Sequence, residues 1–153
     1  MKDGVWQPLN TVQAALDNYF AAEIVECNAE PCTRCGCVRF WKKESVTITP
    51  DVLILCLKRW ATHETPLLHT VLVTDVITFQ GIEYHLRSVI VHLGESAQSG
   101  HYITVAKHTT ESNSWWIYDD ESRREASVDE RSTMGTYFQQ NMNSYVITYE
   151  KSM

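Results

Sequence analysis

Two neighbouring segments rich in β-branched and aromatic side chains, residues 102–107 and 114–118, are separated by a short polar stretch. This pattern predicts a β-hairpin. If the turn closes symmetrically, His101 faces Asp120, whereas a one-residue bulge sets Asp119 opposite His101. Directly opposed Cβ atoms lie about 5 Å apart, so either register brings an imidazole beside a carboxylate. Such a couple can move protons, although surface hairpins also carry His–Asp pairs of purely structural meaning.

Length and charge limit the class of protein. The chain has 153 residues, of which 44% are apolar, which is enough for one domain with a core and too few for two. A formal net charge of −6 argues against binding to nucleic acid and favours a protein partner. No apolar stretch reaches the roughly 20 residues that span a bilayer, and no signal-peptide pattern is present. We expect a cytoplasmic or nuclear protein without a membrane partner.

The five cysteines are unevenly distributed. Cys27, Cys32, Cys35 and Cys37 fall within eleven residues, whereas Cys56 stands alone in an apolar run. An odd number of cysteines crowded into one segment does not indicate a secreted disulfide framework. We therefore expect reduced thiols, with Cys56 buried in a strand.

Local patterns predict an α+β fold with a largely antiparallel sheet. Residues 10–23 read as a helix capped by Asn10, with Val12, Ala15, Leu16 and Tyr19 on one stripe. The predicted strands, in order, are a buried one at 52–60, then 68–73, 76–79 and 84–93, the hairpin, and an edge strand at 145–149. Residues 120–134 read as a solvated connection, and 135–142 as a short helix.

The order of these segments resembles a known family. The matching pieces are residues 16–23 before Cys32-Thr33-Arg34-Cys35, then 50–60, 84–94, 99–102, 115–121 and 145–149. Together they resemble the C-terminal half of the catalytic domain of ubiquitin-specific proteases, which are papain-like cysteine proteases. The resemblance implies a partial papain-like fold over residues 1–153: an N-terminal helix, a mostly antiparallel palm sheet and a finger remnant at 24–50.

The resemblance also assigns roles to residues. It implies that His101 is the general base, Asp119 its orienting residue and Asp120 the second candidate for that role. Gly100 would let the backbone approach the substrate, and Tyr102 would line the tunnel that receives the two C-terminal glycines of ubiquitin. The implied partner is ubiquitin or a ubiquitinated protein, and catalysis would need no cofactor.

One part of the family pattern is missing. In the family the nucleophilic cysteine precedes every segment matched here, and this chain has no counterpart to it. None of the five cysteines is a credible nucleophile, so we expect the chain alone to be inactive. It would be a fragment, a split product, an incomplete gene product or a non-catalytic relative, and a missing N-terminal half is a candidate partner. Two alternatives stay open: a ubiquitin- or protein-binding module without chemistry, and a zinc-knuckle adaptor.

The cysteine cluster has its own pair of interpretations. The spacing of Cys32 and Cys35 is typical of a zinc knuckle. The resemblance implies a structural zinc held by two such pairs, so Cys27 or Cys37 would have to complete the site. Reduced, vestigial cysteines are the alternative. His92, among apolar neighbours, is interpreted as a structural histidine.

Overall fold

The computed structural model describes residues 9–26, 30–60, 67, 70–96, 99–108, 114–127 and 144–152. Their elements are α1 (Val12–Tyr19), β1 (Glu23–Glu26), β2 (Arg39–Lys42), β3 (Val52–Cys56), β4 (Val76–Phe79), β5 (Ile82–Ser96), β6 (Ser99–Lys107), β7 (Trp115–Asp119), β8 (Ser122–Glu125) and β9 (Ser144–Lys151). Strands β1 and β2 form a separate two-stranded sheet. The other seven form one sheet in the order β3-β9-β5-β6-β7-β8, with β4 beside β5. Every pairing is antiparallel, as predicted for this α+β chain.

The buried apolar side chains of β5 change from even to odd residue numbers along the strand. Tyr84 and Leu86 are buried at even positions. Val89 and Val91 are buried at odd positions, although strict alternation would turn them outward. The register with β9 shifts by one residue between Leu86 and Ser88. Because a one-residue shift moves every following side chain to the other face, this bulge returns the second set to the core.

Helix α1 begins one residue later than the sequence predicts. Its cap is Thr11, whose Oγ1 accepts a hydrogen bond of 3.0 Å from an amide of the first turn. Asn10 instead uses its main-chain carbonyl, which accepts a 2.8 Å bond from Leu72. Leu16 is buried as expected, but Tyr19 is 62% exposed and the helix ends there.

Side chains of α1 fasten the helix to β4. The Gln13 amide nitrogen donates to the Thr78 carbonyl at 2.9 Å, and the Thr78 amide donates to the Gln13 oxygen at 2.7 Å. Just beyond the helix, the Phe20 ring packs on Phe79 with centroids 5.2 Å apart. The helix is therefore held both by core packing and by a pair of hydrogen bonds to strand backbone.

Two strand predictions are wrong in position. Strand β3 ends at Cys56 and lies at an edge of the described sheet, with Val52 and Ile54 48% and 65% exposed. The predicted edge strand, β9, lies instead between β3 and β5, where Ile147 and Tyr149 are fully buried. Alternation within a strand shows which side chains are buried but does not show how many neighbours the strand has.

The remaining predictions differ in detail. Within 70–73 there is no strand, only a single bridge between Leu72 and Thr11. The predicted solvated connection contains β8, whose four residues are all exposed. The predicted helix at 135–142 lies outside the described residues. In the described part of the chain, no helix combines the length and apolarity needed to cross a lipid bilayer.

Candidate active site

The hairpin that carries the candidate site closes in a register that the sequence did not predict. Lys107 pairs with Trp115, one residue beyond the partner that symmetric closure would give it, and the pairing ends at Thr104 and Tyr118. Beyond that point the chain turns into β8, with Asp119 paired to Ser122 across the turn. The last residue of β7, Asp119, is therefore no longer paired with β6 but lies near the first residues of that strand.

This departure brings Asp119 to His101. The His101 Nε2 atom lies 2.5 Å from Asp119 Oδ1, at the end of neighbouring strands. Asp120 follows in the turn with a φ of +48°, a conformation that aspartate tolerates. The predicted contact between His101 and an acid is present, and the acid is Asp119 although no bulge of the expected kind produces it. Asp120 is a near neighbour and not a hydrogen-bond partner in the structure.

The contact fixes how the imidazole can work. An ionised carboxylate only accepts hydrogen bonds, so Nε2 of His101 donates to Asp119 and Nδ1 remains the acceptor of the neutral ring. The hydrogen bond to Asp119 raises the pKa of His101 above its ordinary value of 6.5, and the negative charges of Asp119 and Asp120 act in the same direction. The side chains of His101 and Asp119 are 43% and 52% exposed. An accessible imidazole whose second nitrogen is held by a carboxylate can act as a general base.

The same three side chains are candidates for a metal site. The ligand atoms of His101, Asp119 and Asp120 all lie within 4.8 Å of one another, and no other group of three converges in this way in the described ranges. The hydrogen bond between His101 and Asp119 accounts for the approach of two of these three side chains.

From the sequence, Gly100 is expected to let the backbone approach a substrate. In the structure, the group that lies close to Gly100 is the His92 ring of the same chain. A Cβ atom on Gly100 would lie 2.3 Å from His92 Nε2 and 2.8 Å from the Leu93 carbonyl oxygen. A Cβ atom on Gly94, across the hairpin, would lie 2.9 Å from Cε1 of the same ring. The two glycines thus leave room for the buried His92 ring, directly behind the strand head that carries His101.

His92 belongs to a row of rings and not to the pair formed by His101 and Asp119. Its ring centroid lies 4.8 Å from that of Tyr102 and 6.1 Å from that of Trp60. Tyr102 also contacts Tyr145, at 6.1 Å. Because successive side chains of a strand point to opposite faces, Tyr102 projects from the face of β6 opposite to His101. The structure therefore brings Tyr102 to His92, and does not bring it beside His101.

The sequence contains a local signal for this arrangement. Gly94 directly follows the apolar run of β5 and Gly100 lies just before that of β6, and a glycine inside a strand often marks a close approach of another group. His92 lies two residues before the first of them. The spacing thus indicates that the histidine and the two glycines act together, although it does not show which face the ring covers.

Cys56 is exposed, so the prediction that it is buried is wrong. It nevertheless lies far from His101 across the sheet. Cys56 pairs with Val146, Val146 with Ile90, and Ile90 with Thr104 of β6. Three steps of about 4.8 Å each separate β3 from β6, or about 14 Å. A sulfur cannot exchange a proton with the imidazole over that distance.

The described cysteines of the cluster lie around a tight turn. Gly36, with a φ of +69°, donates to the Cys32 carbonyl at 2.7 Å, which closes a tight turn. The amides of Arg34 and Cys35 hydrogen-bond to the Cys32 sulfur and, with the Cys35 thiol, lower the pKa of Cys32. The Cys35 thiol and its charge raise the pKa of Cys37.

The described part of this cluster contains three of its four cysteines. Cys32, Cys35 and Cys37 are exposed and free, and Cys27 lies outside the described residues. Amides directed at a sulfur are the usual surroundings of a metal-bound thiolate, so the turn fits a zinc ligand pair.

Comparison with known proteins shows the family. Residues 9–149 match the family described as ubiquitin carboxyl-terminal hydrolase. Among curated relatives, "Ubiquitin carboxyl-terminal hydrolase 23" of Arabidopsis thaliana is 29% identical over 153 aligned residues, which cover 92% of this chain and 17% of the relative.

Solved structures agree in fold. The SAGA DUB module of Ubp8, Sgf11, Sus1 and Sgf73 bound to monoubiquitin matches with a TM-score of 0.68 and 18% identity, over 94% of this chain and 33% of that one. The module bound to ubiquitin aldehyde matches with a TM-score of 0.65 and 18% identity, over 100% and 35%. These likenesses confirm the predicted papain-like α+β fold, and the chain spans between 17% and 35% of the matched chain in these three comparisons. The chain belongs to the ubiquitin carboxyl-terminal hydrolase family.

Proposed function

We propose that this chain supplies the general base and its orienting acid to a cysteine-type deubiquitinase, and that the nucleophilic thiol comes from outside the sequence. The observation that carries the proposal is the 2.5 Å contact between His101 Nε2 and Asp119 Oδ1. Membership of the hydrolase family supports it, because a base held by a carboxylate is what thiol hydrolysis requires.

The chemistry follows from the free nitrogen of His101. Nδ1 takes the proton of the thiol, and the thiolate attacks the carbonyl of the (iso)peptide bond at the C-terminus of ubiquitin. The imidazolium then protonates the departing amine, leaving an acyl-enzyme that water hydrolyses. Asp119 holds the ring in one tautomer and stabilises its charged form throughout. Asp120 favours the charged imidazole only through its negative charge, so it raises the pKa of His101 less than Asp119 does.

The substrate part of the proposal is ubiquitin. Two solved relatives of similar fold are bound to monoubiquitin and to ubiquitin aldehyde. Gly100 and His101 are both accessible to solvent near the start of β6, where an extended peptide can approach the imidazole. We place the C-terminal glycines of ubiquitin beside His101.

A second candidate function is ubiquitin binding without chemistry. It needs no nucleophile, so it agrees with the separation of about 14 Å between the strands of Cys56 and His101. The two functions differ in what happens when a thiol is supplied and agree in requiring ubiquitin beside His101.

We also propose that the finger segment binds a structural zinc ion. Cys32 and Cys35 would hold it, with Cys37 or Cys27 completing the set. The amides directed at the Cys32 sulfur support this assignment. Metal analysis of the purified protein checks it: about one zinc per chain, lost in a Cys35→Ser variant, is expected. A protein that folds with no bound metal would exclude the site.

The main experiment follows the His101 imidazole resonances by NMR, assigned with a His101→Gln variant. Saturating ubiquitin is expected to shift them, and ubiquitin lacking its two C-terminal glycines is expected to shift them far less. An unchanged His101 signal with intact ubiquitin would refute both candidate functions.

A ubiquitin-based electrophilic probe then tests the source of the thiol. It is expected to label none of the five cysteines. An adduct at any of them would contradict the proposal that the nucleophile lies elsewhere. Turnover on adding the segment that supplies the thiol distinguishes the enzyme from the binding module.

A further inference from the structure

Strand β3 forms an edge of the described sheet that is apolar and uncovered. Its five residues contain neither proline nor glycine nor a charge, and β9 pairs with one side only. Val52 is 48% exposed and Ile54 65% exposed. Natural edge strands are commonly shortened, charged or covered, because unpaired backbone groups recruit another strand. This edge lacks those protections.

Every second residue of β3 has backbone N–H and C=O groups that point away from β9. Near the strand ends, Leu57 and Asp51 make their main-chain bonds to β9. In an antiparallel pair, residues that bond to the partner alternate with residues whose groups point away. The outward-pointing residues are therefore Val52, Ile54 and Cys56. Their side chains also share the exposed face of the sheet.

We propose that this edge pairs antiparallel with β3 of a second copy of the chain, about a two-fold axis through Ile54. This register is the one that pairs all three outward-pointing residues, since it sets Val52 opposite Cys56 of the second copy. A shift of two residues in either direction would leave one of them unpaired. The seven-stranded sheet would then continue across the axis into its copy.

Charges at the strand ends favour a second copy in this orientation. Asp51 precedes the strand and Lys58 follows it, and both are exposed. Antiparallel pairing brings the acidic end of each strand to the basic end of the other. Parallel pairing would set like charges side by side, which destabilises a strand pair. One strand pair buries less than the roughly 1,200–2,000 Å² of a standard stable interface, so association is expected to depend on protein concentration.

A Val52→Cys variant tests the register directly. Opposed residues that exchange hydrogen bonds have Cα atoms about 5.5 Å apart, within the range of a disulfide. Mild oxidation is expected to link the new cysteine to Cys56 of the second copy, with the linkage identified by peptide mass mapping. Within one chain these positions are four residues apart along a strand, about 13 Å, so no intramolecular disulfide can form.

Matched variants identify the interface. Val52→Cys combined with Cys56→Ser is expected to form no such link, and neither is Val76→Cys, which changes a valine that is 40% exposed on β4. Ile54→Asp sets two carboxylates against each other on the axis, and is expected to weaken the dimer at least about tenfold in sedimentation equilibrium. Ile54→Thr keeps β propensity and is expected to dimerise.

Each other outcome overturns the proposal. A chain that stays monomeric at all concentrations, with no link from position 52 to 56, excludes pairing at this edge. A dimer that persists in Ile54→Asp, or that forms links equally in the β4 variant, places the interface elsewhere.

Discussion

Gly100→Ala is expected to destabilise the fold through a single, identifiable collision. The new Cβ would lie 2.3 Å from His92 Nε2, more than 1 Å closer than ordinary van der Waals contact. The His92 ring is only 6% exposed and is flanked by Trp60 and Tyr102, so it has little room to move away. Overpacking of this kind costs about 1–3 kcal/mol.

A second contribution comes from the backbone of the same residue. Gly100 has a φ of +156°, at the margin of the range that non-glycine residues avoid. Sparsely populated backbone conformations cost about 1–3 kcal/mol. We therefore expect Gly100→Ala to lower the free energy of unfolding by about 2–6 kcal/mol, the sum of the two contributions.

Gly81→Ala is the matched control. Gly81 has a φ of +76°, but a Cβ there would meet nothing within 4 Å. Only the backbone cost of about 1–2 kcal/mol applies to it. Urea unfolding followed by tryptophan fluorescence measures both variants, and the larger loss expected for Gly100→Ala includes the collision. Equal losses would refute the argument that His92 is what excludes a side chain from position 100.

The His92→Ala background separates the collision from the rest of the cost. Adding Gly100→Ala to that background is expected to cost less than adding it to the parent, because the nearest atoms are gone while the Leu93 carbonyl remains. The pKa of His101 offers a second readout by NMR. It is expected to fall toward 6.5 in Gly100→Ala, since displacement of the strand head weakens the bond to Asp119. Strict additivity of the two substitutions would contradict the assignment.

Asp119→Asn is expected to lower the pKa of His101 more than Asp120→Asn does, because the hydrogen bond to Asp119 is the largest cause of the rise; NMR titration of the imidazole measures both, and equal shifts would contradict this ranking. Because folding raises the pKa of His101, the stabilisation from this contact is fully present below the unfolded value of about 6.5 and is lost as pH rises through the folded value. Urea midpoints measured across that range should fall in the parent and stay flatter in Asp119→Asn. Gln13→Ala removes two hydrogen bonds to the Thr78 backbone and is expected to cost about 1–2 kcal/mol in urea unfolding. Gln13→Glu sets a carboxylate oxygen against the Thr78 carbonyl and the Asp17 carboxylate, so it should recover little of that stability, and full recovery would show that the donated bond contributes nothing.

The strand-rich part of the fold was predictable because its signals are local. Residues 76–79 and 84–93 carry β-branched and apolar side chains in runs of strand length, and both are strands in the structure. The β6–β7 hairpin follows from two such runs around a polar turn. Its register could not be read in the same way, since the turn geometry decides which residues face each other.

The contact between His101 and an acid was predictable for a similar reason. Two consecutive aspartates, Asp119 and Asp120, lie at the end of β7, so several registers bring one of them to His101. The choice of Asp119 over Asp120 depends on where β7 leaves the ladder to enter the next turn. The turn between β7 and β8 determines that point, and the sequence of the β6–β7 hairpin alone does not predict it.

Features that depend on distant parts of the chain were not predictable. Arg59 lies just beyond β3, where a charged side chain is expected to reach solvent, yet it is 6% exposed and donates from Nε to the Ser144 carbonyl at 2.9 Å. Burial lowers its pKa. The meaning of Gly100 likewise depends on a ring eight residues away across the hairpin. Local sequence does not identify such partners.

The central position of β9 affects the order in which the protein can fold during synthesis. Val52 of β3 pairs with Glu150, and His85 of β5 pairs with the same residue from the other side. On the ribosome, neither strand can gain this neighbour until residues 144–151 have left the exit tunnel. Contacts between such distant residues slow folding and leave apolar strands unpaired in the nascent chain. A growing polypeptide of this family segment would thus depend on protection from aggregation until its last strand emerges.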